Sequence, residues 1–143
     1  MAMTQEQRER LLALRATMDA SVANAAGDTA ALNAVADFVR QWKPGAYAVG
    51  DVRAQGTIPY KCVQAHDSTD NEGWTPEATP ALWMQYHGTS RETARPWVAP
   101  TGAHDQYLAG EWMIYTDGET YECLSNTVYT PDVYPAAWRK DVS

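Results

Sequence analysis

This sequence of 143 residues has few cysteines and no long hydrophobic segment, and both absences restrict what it can be. Its two cysteines, Cys62 and Cys123, are too few for a disulfide framework, and we expect both to be free. No stretch approaches eighteen consecutive apolar residues, which argues against a transmembrane helix. The N-terminal sequence MAMTQEQRER is charged where a signal peptide has its apolar segment, so we expect neither an export signal nor a membrane partner.

Basic residues are also in the minority. The chain has 11 Lys and Arg against 18 Asp and Glu, which gives a formal net charge of −7. Because nucleic-acid binding rests largely on Lys and Arg that neutralise phosphates, this balance predicts no nucleic-acid partner. The length allows one ordinary domain or a few small ones, and it is too short for a two-domain enzyme.

The motifs of catalysis and metal binding are absent as well. The sequence has no P-loop, nucleophile elbow or Cys-x-x-Cys motif. His66, His87 and His104 lack the i,i+3 or i,i+4 spacing that chelates a metal from a helix. The acids that follow His66 fall together in a polar, turn-forming loop. A glycosidase would instead need two carboxylates on opposite sides of a cleft. We therefore expect a protein that is not an enzyme and that needs no metal or other cofactor.

Aromatic residues divide the chain into two unlike parts. All six Trp and all eight Tyr lie between Trp42 and Trp138, whereas residues 1–41 contain only Phe38. That first part is rich in Ala, Leu, Glu, Gln and Arg, the residues that most favour a helix. The composition therefore predicts a helical segment followed by a different kind of structure.

The helical segment has a start signal and a regular apolar stripe. Thr4 followed by Gln7 is a capping-box pattern, and apolar residues then recur every seven positions, at Leu11, Met18, Ala25, Leu32 and Val39. Gly27-Asp28 either separates two helices, over 4–25 and 29–42, or interrupts one long helix. The stripe then packs on its own chain or joins copies of the chain in a coiled coil, with a trimer as the preferred oligomer.

The remainder of the chain is an internal repeat. Three motifs of the first copy recur in the same order in the second. Tyr47-x-x-Gly50-Asp51 corresponds to Tyr107-x-x-Gly110-Glu111, and Tyr60-x-Cys62 corresponds to Tyr121-x-Cys123. The segment from Trp74-Thr-Pro76 to Trp83 corresponds to the one from Tyr129-Thr-Pro131 to Trp138. The chain therefore carries two small modules in tandem, joined by a polar segment over 88–96.

Each module is predicted to be a small antiparallel β structure. Strand-like runs cover 49–53 and 60–64 in the first copy, and 112–115 and 120–124 in the second. The proline-containing tails are expected to wrap back across the sheet instead of continuing the ladder. Large aromatic residues must supply the core of so small a unit, and we assign this role to Tyr60, Trp83, Tyr121 and Trp138. The fold class is thus α+β with several domains.

Residues 42–86 resemble a known family. The segments Ala46-Tyr47-x-x-Gly50-Asp51, Tyr60 to His66, Gly73 to Pro76 and Thr79 to Trp83 are similar to those of the chitin-binding type 3 module, carbohydrate-binding module families 5 and 12. The second copy resembles this pattern more weakly. A helical N-terminus followed by such a module also resembles small proteins encoded among bacteriophage and prophage tail genes.

The resemblance implies a function and a set of site residues. In the family, the Trp of the Gly-Trp-x-Pro segment stacks on a sugar ring, which implies this role for Trp74, with His66 and Pro76 beside it. The second copy offers Tyr129 at the position of Trp74, and its loop is shorter. One hypothesis is therefore a glycan-binding protein of a phage particle that recognises cell-surface or cell-wall polysaccharide. The alternative is a structural or assembly unit whose modules dock onto other phage proteins without binding sugar.

The predicted organisation follows from these observations. A helical oligomerisation or anchoring segment occupies 1–41, the first β module 42–87, a linker 88–96 and the diverged second module 97–143. The expected location is the virion, assembled in the cytoplasm of the host.

Overall fold

An N-terminal pair of helices precedes a series of small, mainly antiparallel sheets, as the α+β prediction requires. A computed structural model describes residues 2–142. The helices are α1, Gln5–Ala25, and α2, Thr29–Ala34, followed by a 3-10 turn over Ala36–Phe38. Of the two alternatives that Gly27-Asp28 left open, the structure has the pair of helices and not the single long one.

Side-chain caps explain where the helices begin. The side chain of Thr4 accepts a hydrogen bond from the backbone N of Gln7 at 3.1 Å, and the Gln7 side chain accepts one from the Thr4 backbone N at 2.9 Å. The Asp28 carboxylate accepts a hydrogen bond from the backbone N of Ala31 at 3.2 Å and caps α2. These are the two start signals in the sequence, and each satisfies N–H groups that have no partner within the helix.

The second helix is shorter than predicted, because it ends at Ala34 and not at residue 42. Beyond the 3-10 turn the chain becomes extended and lies against a strand. The backbone N of Ala54 donates to the Arg40 carbonyl at 2.8 Å, and the backbone N of Trp42 donates to the Ala54 carbonyl at 2.7 Å. These tertiary hydrogen bonds replace the helical ones that the sequence pattern indicated.

The C-terminal part of the heptad stripe packs against the chain's own β structure. This buried cluster combines residues of both helices and the segment after them with residues of the first β region, namely Val22, Ala25, Leu32, Val39, Val52, Ala54 and Tyr86. By contrast, Leu11, Leu12 and Leu14 of α1 are 51%, 65% and 56% exposed. The second half of the stripe therefore packs on the chain's own β structure, whereas the exposed leucines in the first half of α1 have no partner within the described chain.

Between residues 2 and 142, nine short strands form three sheets. In chain order they are β1 (Ala46–Tyr47), β2 (Val52–Gln55), β3 (Ile58–Cys62), β4 (His66–Asp67), β5 (Trp83–Gln85), β6 (Arg95–Pro96), β7 (Trp112–Ile114), β8 (Thr120–Cys123) and β9 (Trp138–Lys140). The orders are β1-β4, β2-β3-β5 and β6-β7-β8-β9. All pairs are antiparallel except β6 with β7, which is parallel.

The same turn and hydrogen bonds occur in the first β region, residues 42–87, and in the second, residues 97–142. Gly50 and Gly110 have φ angles of 96° and 93°, a conformation that favours glycine. Their backbone N–H groups donate to the carbonyls of Cys62 and Cys123 at 2.9 and 2.8 Å. The repeated Tyr-x-x-Gly motif therefore corresponds to a repeated local structure.

The tails differ from our expectation in one respect. They do carry the chain across each sheet, but Trp83 and Trp138 then begin strands that extend the ladder. Cys62 pairs with Trp83 and Cys123 with Trp138. The prolines lie before these strands, so they remove no donor from the ladder.

The connection between the two β regions is packed at both ends, which differs from the exposed, extended linker that its polar sequence indicates. Gly88 is buried, and its carbonyl accepts a hydrogen bond from the backbone N of Trp112 at 2.9 Å. At the other end, the Arg95 guanidinium donates to the Tyr86 carbonyl at 2.6 Å and to the Asn33 side chain at 2.8 Å. One arginine therefore joins the connection to the first β region and to α2.

Substituting Gly88 with alanine tests this packing. A Cβ at this position would overlap the Thr93 carbonyl and lie 2.7 Å from the Ala94 Cα, and backbone atoms have little room to move. We expect Gly88→Ala to lower the free energy of unfolding by about 2–3 kcal/mol, measured by chemical denaturation. Gly73→Ala is the matched control, since no atom lies within 4 Å of its added Cβ, and it should leave the denaturation midpoint nearly unchanged. Equal midpoints for the two variants would show that the connection is loosely held.

Candidate functional site

Trp74 projects from the long loop that separates β4 from β5. Its side chain is 41% exposed, although tryptophan is the largest side chain and usually lies mostly buried. The backbone N of Trp74 donates to the Asn71 carbonyl at 3.1 Å, and the backbone N of Asn71 donates to the Ser68 carbonyl at 2.8 Å. Two successive turns therefore lead from Ser68 to the exposed indole.

Ser68 fixes the base of this loop. It is fully buried, and its hydroxyl donates to the Gly45 carbonyl at 3.0 Å and accepts a hydrogen bond from the Gly45 backbone N at 3.1 Å. Its own backbone N also donates to the Gly45 carbonyl, at 2.8 Å. A loop closed by three hydrogen bonds at its base has less backbone freedom to lose on binding than an open loop.

The acidic residue before Ser68 stabilises the same turn. Asp67 accepts hydrogen bonds from the hydroxyl and the backbone N of Thr69, at 2.5 and 2.9 Å. These hydrogen bonds lower the pKa of the Asp67 carboxyl below its usual range. Asp67 therefore acts as a turn residue with an ionised carboxylate, in agreement with our interpretation of the polar loop.

His66 packs among the core aromatic rings of the first β region. Its ring centroid lies 5.7 Å from that of Trp83 and 5.8 Å from that of Tyr47. Its Nδ1 is 2.7 Å from the Gln64 carbonyl, which accepts only, so Nδ1 carries the proton. The predicted neighbour of the sugar-binding ring is thus a partly buried histidine whose orientation is set by the core.

Pro76 is less than 2% exposed. Its ring contributes to packing beneath the tail and offers a ligand almost no surface. The resemblance placed Pro76 beside the sugar because it follows Trp74 closely in sequence, but the turn after Trp74 directs it inward.

Tyr129 occupies the corresponding place in the second β region and is 55% exposed. Its backbone N donates to the hydroxyl of Thr127 at 3.0 Å, and its carbonyl accepts a hydrogen bond from Trp138 Nε1 at 3.0 Å. Thr127 pairs with Tyr107 as His66 pairs with Tyr47. The exposed phenol is therefore held by its backbone, and a small threonine takes the place of the histidine.

Edge-on aromatic pairs form the core below both exposed rings. Trp83 is 2% exposed and packs against Tyr47 with ring centroids 5.0 Å apart, whereas Trp138 is 6% exposed and packs against Tyr107 at 5.4 Å. Tyr60 is also buried, and Tyr121 is partly buried against the second core. The core placement predicted for Trp83, Trp138 and Tyr60 is confirmed, whereas Tyr121 is only partly buried.

The two cysteines are buried and free, as predicted. Their thiols donate to the carbonyls of Gln64 and Ser125, at 3.1 and 3.2 Å. Burial raises the pKa of Cys62, and it raises the pKa of Cys123 to about 11. At neutral pH both are protonated thiols, which are poor nucleophiles.

Two further features concern only residues 2–142. Within this range, no group of three or more His, Cys, Asp or Glu side chains is arranged to hold a metal ion. None of the helices described there is long and apolar enough to cross a membrane.

The junction between the two β regions contains residues that the sequence analysis did not single out. His87 Nδ1 lies 2.8 Å from Glu111 Oε1, and both side chains are buried. The His87 ring stacks on Tyr107 with centroids 3.8 Å apart and planes 6° from parallel. Only the repeat places Glu111, at the position of Asp51, and no local pattern connects it with a histidine 24 residues earlier.

Comparison with known proteins finds a similarity for the first β region. A family model described as carbohydrate-binding module family 5/12 matches residues 41–84. Streptogrisin-C from Streptomyces griseus is 47% identical over 45 residues, which amount to 31% of this chain and 9% of that protein. The chain thus spans only a small part of this relative. The match supports carbohydrate binding as the general property of residues 41–84, in agreement with the resemblance found in the sequence.

The structure predicts opposite effects of removing the two tryptophans of this region. Trp83→Ala removes the centre of the aromatic core and should lower the free energy of unfolding by about 3–5 kcal/mol. Trp74→Ala removes an exposed ring and should change it by less than about 0.5 kcal/mol. Thermal denaturation followed by near-ultraviolet circular dichroism measures both. Unfolding of the Trp74 variant would place this ring in the core and remove it from the candidate site.

Proposed function

We propose that this protein is a non-catalytic glycan-binding protein and that Trp74 is its principal sugar-stacking residue. The observation that carries the proposal is the exposed indole of Trp74 on a loop closed by Ser68, inside the segment that matches the carbohydrate-binding family. A pyranose presents a face of C–H groups, which an aromatic face complements. The neighbouring polar loop residues Asp70 and Glu72 are exposed and supply hydrogen-bonding groups for sugar hydroxyls.

We also propose that the second β region is a diverged copy of the first. The repeated glycine turn, the Cys-Trp strand pairs and the edge-on Tyr-Trp cores support this relationship. Its loop is shorter and has threonine where the first copy has His66, so fewer side chains surround Tyr129 to form a binding groove. Affinity for a small ligand depends on how much of its surface is buried and on polar groups positioned to bind it. We therefore expect Tyr129 to contribute less to sugar binding than Trp74.

The first half of α1 supports a proposal of self-association. Residues 2–14 are all exposed, and Leu11, Leu12 and Leu14 present apolar surface with no partner in the described chain. If copies of the chain associate through this helix, with a trimer as the preferred state, one oligomer carries several weak sugar sites. Such multivalency raises avidity by about 10² to 10⁴ without new contacts. A phage virion, where such a protein would face cell-surface polysaccharide, is the location we propose for it.

A second candidate function is supported by the surface of the second β region. The apolar or aromatic side chains there that are more than 40% exposed include Leu124, Tyr129, Val133 and Tyr134. Exposed apolar surface of this kind anchors protein interfaces. In this alternative, the second region docks onto another structural protein of the particle, and sugar binding is confined to the first region or absent.

Retention on insoluble polysaccharide tests the principal proposal. The full chain is incubated with chitin and with peptidoglycan, and the bound fraction is compared with those of the Trp74→Ala, Tyr129→Ala and Tyr134→Ala variants. We expect Trp74→Ala to reduce retention at least about tenfold, because stacking on one ring contributes about 1.5 kcal/mol. Tyr129→Ala should have a smaller effect. Tyr134→Ala is the control, since this ring is 43% exposed and lies outside the proposed site.

The outcomes separate the two candidate functions. If the unsubstituted chain is retained and all three variants are retained equally well, none of these rings binds sugar. No retention on either polysaccharide would favour the docking function of the second β region.

Self-association is tested by replacing the exposed leucines without breaking the helix. The variant Leu11→Gln/Leu12→Gln/Leu14→Gln keeps residues with good helix propensity and removes the apolar surface. We expect light scattering to give an oligomer, preferably a trimer, for the unsubstituted chain and a monomer for this variant. Ala13→Gln/Ala16→Gln is the control, because it alters exposed positions of the same helix without removing large apolar side chains. A monomeric unsubstituted chain would overturn the proposal.

A further inference from the structure

A groove rich in basic residues lies where α1 meets the first β region, and we call it the basic groove. Its lining residues come from α1, from the extended segment after α2 and from β2, and they are Arg15, Val39, Arg40, Gln41, Lys43 and Arg53. Four of the chain's 11 Lys and Arg therefore line one surface, although the chain carries a net charge of −7. None of the residues that line it is acidic.

One carboxylate beside the groove is already bound to two of these cations. Arg40 donates to Asp19 through Nε and Nη2, at 3.1 and 2.8 Å, and Arg15 Nη2 lies 3.0 Å from the same carboxylate. The hydrogen bonds from Arg40 lower the pKa of Asp19, so it is ionised at neutral pH. Asp51 also lies beside the groove, since it lines an adjoining pocket together with Asp19, Arg40 and Arg53. Four positive charges less these two negative charges leave a formal net charge of +2.

Arg53 and Lys43 provide most of the unbalanced charge. In residues 2–142, no carboxylate lies within 4.0 Å of either side chain. The Arg53 guanidinium lies 5.3 Å from the centroid of the Tyr47 ring, and one of its nitrogens, Nη1, donates to the Val52 carbonyl at 2.7 Å. Since a guanidinium has five N–H donors, most of them remain free for a ligand.

A second observation is the crowding of these cations. Arg15 Nη2 is inaccessible to solvent and has Asp19 as its ion-pair partner, so the chain's own carboxylate holds this atom. The remaining like charges held together repel one another. A bound anion would offset this repulsion. The groove therefore has the charge and the donors of an anion site, but its own residues do not neutralise it.

From these observations we propose that the basic groove binds an oxyanion, either a carboxylate or a phosphate group. Guanidinium groups present paired donors that match the two oxygens of such a group, and Lys43 adds a flexible positive charge. The site is separate from Trp74 in sequence and in the contacts that form it. A polysaccharide with charged substituents would place anionic groups on this surface, and Lys43 and Arg53 lie inside the segment that matches the carbohydrate-binding family.

An NMR titration of the full chain tests the proposal and distinguishes the sources of the anion. The ligands are inorganic phosphate, polygalacturonate as an anionic polysaccharide, its neutral methyl ester and double-stranded DNA. We expect phosphate and polygalacturonate to shift the resonances of Arg15, Arg40 and Arg53, and the neutral ester to leave them unchanged. If polygalacturonate binds more tightly than phosphate, the ligand of the groove is an anionic group on a polymer. If only phosphate binds, the ligand is a free anion. Preferential binding of DNA would overturn the proposal.

The variant Lys43→Gln/Arg53→Gln removes the two cations that have no acidic partner. We expect it to weaken anion binding at least about tenfold, since hydrogen bonds to charged groups are the strong ones. Lys61→Gln/Lys140→Gln is the control, because it removes the same charge from residues outside the groove. If both variants weaken anion binding equally, the effect comes from net charge alone and the proposed site is wrong. Retention of the groove variant on neutral chitin separates this result from the function proposed for Trp74.

Discussion

The packing of Tyr47 against Trp83 is the interaction on which the first β region depends. The region has strands of only two to five residues packed around Trp83. The described residues hold no disulfide and no cluster of side chains arranged to bind a metal. The two rings meet edge to face at 5.0 Å, a favourable arrangement that also buries a large apolar area. His66 extends the same cluster toward the loop that carries Trp74. The exposed ring and the buried ring are therefore parts of one small structure.

Polar contacts between distant segments then join this region to its neighbours. Arg95 connects the loop after the first region with Tyr86 and Asn33, and His87 pairs with Glu111 while its ring lies on Tyr107. Buried polar groups need partners, so these contacts hold specific geometries and not merely general proximity. The helices contribute by covering Val52, Ala54 and Tyr86, which would otherwise be exposed on the first sheet.

The division of the α1 surface relates architecture to the proposed function. Its second half is committed to the chain's own core, while its first half and the basic groove remain available to other molecules. The chain thus offers three separate surfaces: an aromatic one at Trp74, an apolar one on α1 and a cationic one where α1 meets β2. The polysaccharide binding and the self-association that we propose would use different surfaces of the chain.

The sequence alone determined the features that depend on local chemistry or on the repeat. The capping residues Thr4 and Asp28, the glycine turns and the buried tryptophans follow from side-chain geometry and recurring motifs, and the structure has all of them. Only the tertiary structure decided where α2 ends, because Arg40 and Trp42 exchange helical hydrogen bonds for bonds to Ala54. It also decided that Pro76 faces inward and that four cations converge on one groove. Such features depend on which distant segments meet, and neither hydrophobic periodicity nor motif spacing contains that information.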